Sequence, residues 1–184
     1  YGTIYFGDSG DTNIGAVQYE HSSNSLNLVT GAATALIIYG TGAITKPLQP
    51  AFLATVSSTQ SNIADGHVQI VADNEIFDQN ADYNTSNYTF TAPVSGKYSF
   101  MVNIKTSGMT TDYQWIYCYI GTSNRTCFVD LIDPRMHSQT GSRALGGSIL
   151  VDMDANDTAT LYIRSSAHGT NTMDIVSNLS LIHI

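Results

Sequence analysis

In residues 83–104, YNTSNYTFTAPVSGKYSFMVNI, the side chains of Tyr98, Phe100, Val102 and Ile104 alternate with those of Lys97, Ser99 and Asn103. A period of two puts the first set on one face of a strand and the second on the other, so this strand covers a core and shows its back to water. Met101 breaks the alternation as an apolar residue on the polar side. Just ahead, Pro93 and Gly96 mark a tight turn, because proline presets φ and glycine accepts conformations that other residues resist. The aromatic rings that flank this turn are expected in the core.

Downstream, QWIYCYI at 114–120 is apolar on both faces, with Trp115, Tyr117 and Tyr119 on one and Ile116, Cys118 and Ile120 on the other. Such a strand is central in its sheet or also faces a partner subunit. Further strands are predicted at CFVDLI (127–132), SILVDM (148–153), TATLYIR (158–164) and NLSLIHI (178–184). Nowhere do apolar residues recur at helical spacing over the roughly ten positions a helix needs. The class is all-β, and many short strands at regular spacing indicate an antiparallel two-sheet jelly-roll sandwich.

Upstream, the composition changes near 46–50. Four short strand candidates precede it, TIYF, IGAVQY, LNLV and ALIIY, separated by turn-rich stretches. GTGAITKPLQP then reads as a linker, because Pro47 and Pro50 deny donors to any ladder. A segment this short, without disulfide or metal, is too small to bury a core of its own. Sharing that core with identical copies around a threefold axis solves the problem. The expected organisation is a β-rich trimeric stalk segment at 1–46 and a jelly-roll head at 47–184.

The apolar fraction of 42% can build a core, while charged residues make up 12%, about half of what is usual. A net charge of −8 with seven Lys and Arg leaves no basic patch for a phosphate backbone, so nucleic acid is excluded as a partner. No apolar run reaches the roughly 18 residues of a spanning helix, so no membrane insertion is expected. The five histidines are scattered, outside any metalloprotease or nucleophile-elbow pattern. The chain is not expected to be an enzyme. Cys118 and Cys127 flank a predicted hairpin turn near Ser123, which would set the thiols nearly opposite each other, either bridged or as two reduced half-buried groups.

Ala51 and Phe52 on the first head strand, Tyr83, the block Phe90, Pro93, Gly96, Tyr98 and Phe100, the strand ending in Asp157 and the closing strand at 178–184 together resemble the jelly-roll heads of the complement C1q and tumour necrosis factor superfamily. The resemblance covers roughly residues 50–184 and implies a two-sheet sandwich that assembles as a compact homotrimer. The usual Gly before the Asp of the C-terminal loop is Asn156 here. Residues 5–52, from YFGDSGD to TKPLQPAF, resemble β-rich segments in tail-fibre and other structural proteins of marine bacteriophages. Stalk first and head last is the layout of a receptor-binding fibre tip. The resemblances imply a virion fibre protein, joined to other virion proteins through a longer N-terminal part ahead of Tyr1, whose trimeric tip binds a host surface polysaccharide. A structural or decorative fibre and a secreted complement-like lectin are the alternatives.

Recognition residues are expected on loops crowning the head. The candidates are Asp112, Tyr113 and Trp115 in GMTTDYQW, Asn124 and Arg125 at the hairpin tip, and Arg135 and His137 in IDPRMHSQTGSR. Aromatic faces pack against the C–H face of a sugar while Asp, Asn and Arg pair its hydroxyls. Trp115 reads equally as a core or trimer-seam residue. Asp152, Asp154 and Asp157, with Asn156, offer oxygens at alternate positions as a hard cation requires, although the acid expected at position twelve of an EF-hand loop is Ile163. Calcium is the one cofactor the sequence raises, with solvated turn carboxylates as the alternative.

Overall fold

The computed structural model describes residues 1–137, 141–166, 169–177 and 181–184, with the side chain of His137 also outside the description. It divides into two compact units, Tyr1–Gln49 and Pro50–Ile184.

The first unit is an antiparallel meander of β1 (Gly2–Phe6), β2 (Gly15–Glu20), β3 (Ser25–Thr30), β4 (Ala33–Ile38) and β5 (Ile44–Thr45). The first four correspond to predicted strands. The fifth falls where a linker was expected: Gly42, at φ 85°, sits in a turn in which its amide donates to the Tyr39 carbonyl at 2.8 Å, and Ile44–Thr45 fold back onto Ile37–Ile38. Cross-strand register sorts the side chains by face. Ile4, Val17, Leu28 and Leu36 form one row, and Tyr19, Leu26, Ile38 and Ile44 the next. The other face carries Thr3, Gln18 and Asn27 in register. Ala16, Ser25 and Asn27, the buried residues of this unit, all lie on that second face.

The second unit contains β6 (Phe52–Thr55), β7 (Gln60–Ile63), β8 (Gly66–Gln69), β9 (Asn74–Asp78), β10 (Tyr83–Asn84), β11 (Thr89–Thr91), β12 (Gly96–Met109), β13 (Trp115–Thr122), β14 (Thr126–Ile132), β15 (Gly141–Met153), β16 (Thr158–Ser166), β17 (Met173–Ile175) and β18 (Leu181–His183). One sheet of seven described strands runs β7-β17-β12-β18-β6-β9, with β15 on the other edge of β12. The second, of six, runs β10-β11-β16-β13-β14, with β8 also on β16. This is the antiparallel jelly-roll sandwich expected. The strands that sequence periodicity did not reveal, such as β7 (QSNI) and β9 (NEIFD), are short and carry no sustained alternation; side chains help to pair them, as where Asn74 Nδ2 donates to Thr55 Oγ1 at 2.9 Å.

The core shows why the 83–104 stretch decides the fold. Phe52 stacks on Tyr83 with centroids 4.5 Å apart, and on Phe90 at 5.5 Å. Phe90 in turn meets Tyr98 at 5.4 Å and the edge of Phe100 at 5.8 Å. Tyr83 donates its hydroxyl to the Ala72 carbonyl at 2.9 Å, and burial raises its phenol well above the ordinary range. Tyr98 donates to the Val94 carbonyl at 2.6 Å, which clamps the Pro93–Gly96 turn. Asn156 adopts φ 72°, the left-handed conformation a glycine would supply, and asparagine is among the few other residues that visit it readily. Its amide donates to the Ala92 carbonyl at 2.8 Å, so the turn forms without glycine.

The hairpin turn at Thr122–Arg125 pairs Ile120 with Cys127 and Cys118 with Asp130, so the cysteines are out of register and free. Desolvation pushes the buried Cys118 thiol up to about 12, which leaves it inert.

Candidate functional site

The β13–β14 hairpin decides where the candidate residues go. Ile116 pairs with Ile132 at one end and Gly121 with Thr126 at the other. Asp112 and Arg135 therefore lie at one end of the sandwich and Asn124 and Arg125 at the opposite end, about 25 Å away at the usual rise of a strand. No single crown of loops gathers them. At the first end, the guanidinium of Arg135 donates to its own neighbour Asp133 at 2.9 and 2.7 Å, so its charge is met locally. Asp112 accepts from Asn171 Nδ2 at 2.6 Å. Tyr113 leaves the candidate set: it is fully buried, and desolvation raises its phenol to about 12. The side chain of His137 lies outside the described residues.

At the second end, Asn124, Arg125, Asp152, Asp154 and Asp157 surround an open cleft of about 400 Å³ together with Ser95 and Lys97. Arg125 grips Asp152 through two contacts, at 2.8 and 3.3 Å. Asp157 accepts from Asn124 Nδ2 at 2.7 Å and from the Asp154 amide at 2.9 Å. Asp154 accepts from Ser95 at 3.4 Å. The carboxylates expected to bind calcium are thus spread among separate protein donors. Among the described residues, no three acidic, His or Cys side chains converge as a metal-ligand set. The residues present do not fit a calcium site, because alternation along a chain converges oxygens only when the loop wraps around the ion, and here Asp152 is still on a strand.

A third place was only partly anticipated. The outward face of the six-stranded sheet brings together Trp115, Tyr117 and Tyr119 from β13, Tyr162 and Arg164 from β16, Phe128 from β14 and His67 from β8. Ile116, Cys118 and Ile120, the alternate residues, are fully buried on the other face. Trp115 stacks on Tyr117 at 5.1 Å, and the Arg164 guanidinium sits 5.0 Å from the centre of the Trp115 ring. Arg164 also donates to the Tyr117 hydroxyl at 3.0 Å, so a cation–π contact and a hydrogen bond hold it in place. Tyr119 stacks on Tyr162 at 5.2 Å, and its hydroxyl lies 2.7 Å from His67 Nδ1. Gly121 makes room for Tyr162, since a Cβ there would come within 3.1 Å of the ring. Phe128, 57% exposed, lies edge-on to Tyr117 at 5.0 Å.

Aromatic carbon flanked by guanidinium, imidazole and phenol hydroxyls can pack against a sugar ring and pair its hydroxyls. Of the sequence candidates, Trp115 alone belongs to this surface. The alternation of Tyr162 and Arg164 with Leu161 and Ile163 is the signal that could have set the first two on one face, but nothing in the sequence set them beside Trp115 and Tyr117.

The sequence model described as the C1q domain matches residues 51–179. Among solved structures, the globular domain of the zebrafish complement 1qA protein superposes with a TM-score of 0.51 at 15% identity, covering 73% of this chain and 94% of that chain. Murine APRIL, solved at pH 8.5, superposes with a TM-score of 0.50 at 7% identity, covering 73% of this chain and 95% of that chain. No curated protein matches.

Proposed function

Because the chain belongs to the C1q domain family through residues 51–179, we propose that it forms the homotrimeric tip of a bacteriophage fibre and binds a host surface polysaccharide. C1q and tumour necrosis factor-like domains form homotrimers, and are typically binding or structural modules without enzymatic activity. The observation that carries the binding reading is the aromatic face built around Trp115 and Arg164. Three such faces on one trimer give avidity to weak single contacts.

A separate surface suits subunit packing. The outward side of the seven-stranded sheet exposes Met101 (47%), Leu150 (63%) and Phe77 (42%), which explains the apolar residue that broke the alternation in β12. In this reading Tyr1–Gln49 is the stalk end and the protein works on the virion, outside the host cell. The alternative is a purely structural fibre, favoured by the fact that the outward aromatics stack on one another and so stabilise the sheet without a ligand. An upstream continuation of stalk repeats supports the fibre; a collagenous upstream supports a secreted lectin instead.

The test is binding of the labelled full chain to panels of bacterial cells and their purified surface polysaccharides. Arg164→Ala and Trp115→Ser are expected to weaken binding at least tenfold while sedimentation still gives a trimer. Loss of the trimer in Trp115→Ser would make the aromatic face a subunit seam. A folded wild-type trimer that binds no cell would leave the structural fibre.

A further inference from the structure

One face of the sheet of the first unit exposes apolar side chains among the described residues. Ile4, Phe6 and Ile44 on that face are 63%, 57% and 59% exposed, and Leu28, in the middle of the sheet, is 38% exposed. Five strands at the usual spacing, by the length of β1, make a face of roughly 300 Å², at the low end of the largest apolar patch on a typical monomer, a patch that is often functional. The same face holds no charge. Glu20, the one charged residue within β1–β5, pairs with Ser25 on the opposite face.

We propose that this face is the seam through which three copies of the chain pack their first units together, which rests on the trimeric reading above. The absence of charge selects the occupant. Around a threefold axis each residue meets its own copies, so any charge on the face would repel itself, and this chain carries a net charge of −8 elsewhere. A homotrimeric second unit joined at Gln49–Pro50 holds three copies of the face at high local concentration. The seam buries Leu28 and its row and does not involve the opposite face, which carries Thr3 and Gln18.

The test places single cysteines in the full chain carrying Cys127→Ser, treats each variant with a short bismaleimide, and sediments the same samples. Leu28→Cys, and Ile44→Cys at the tolerant sheet edge, are expected to give cross-linked subunits at a yield several-fold above Gln18→Cys on the opposite face. A sample that sediments as a trimer but cross-links equally or better through Gln18→Cys would overturn the seam and leave the trimeric head standing. A trimer in which none of the three cross-links would do the same, and would point to a different partner for the face. A monomeric wild type would remove both.

Discussion

Phe90 shows how much one side chain decides. Its ring, on the six-stranded sheet, is fully buried and touches Phe52, Tyr98 and Phe100, which all belong to the seven-stranded sheet and come from either side of the Pro93–Gly96 turn in sequence. Phe90→Ala is expected to destabilise the second unit by about 3–5 kcal/mol through lost burial and a cavity that the surrounding rings cannot close. Urea unfolding followed by near-UV circular dichroism measures it, and a loss under about 1 kcal/mol would mean the site collapses freely. Tyr113 and Trp115 make the opposite point. They sit two residues apart, yet Tyr113 is in the core and Trp115 faces outward, because Tyr113 lies in the loop before β13, whereas Trp115 is already paired with Ser166.

Among the elements, the β13–β14 tip and the β15–β16 turn are joined by an ion pair, by the Asn124–Asp157 hydrogen bond and through the backbone of Ser123 and Thr158. The ion pair of Arg125 and Asp152 is half-exposed on both sides, at 50% and 61%. Solvent and side-chain entropy discount such a pair, so a double-mutant cycle of Arg125→Ala and Asp152→Ala is expected to give a coupling below about 1 kcal/mol. The backbone does more of the joining: the Ser123 amide donates to the Thr158 carbonyl at 3.0 Å, and the Thr158 amide donates to the Ser123 hydroxyl at 2.8 Å. A coupling of several kcal/mol would instead make the cleft an electrostatic anchor for this end of the sandwich.

For the whole molecule, the fate of the carboxylates matters more than their number. Asp152, Asp154 and Asp157 each accept from protein donors around the cleft. A chelator is therefore expected to leave the unfolding temperature and cell binding unchanged, as differential scanning fluorimetry and the binding assay would record. A fall of several degrees would mean that a metal holds this end in solution. Assembly belongs to the same scale. Both apolar faces, one in each unit, are laid out by cross-strand register and expose apolar side chains among the described residues.

Local pattern was enough for the all-β class, for the outward and inward sets on β12, for the two faces of β13 without saying which is buried, for the turn at Pro93–Gly96 and for the aromatic core. Each depends on residues within a few positions of one another, where a period of two or a preset φ acts directly. The sequence also marked Trp115 as a residue of interest. What it could not decide was which strands lie side by side. Arg164 reaches Tyr117 across 47 positions of chain, and His67 reaches Tyr119 across 52. Likewise, Asn124 and Arg125 joined the presumed metal carboxylates and parted from Asp112 and Arg135, because strand order and hairpin length, not nearness in sequence, set the ends of the sandwich. Alternation says which way a side chain points; pairing, which says what it meets, exists only once the sheets have closed.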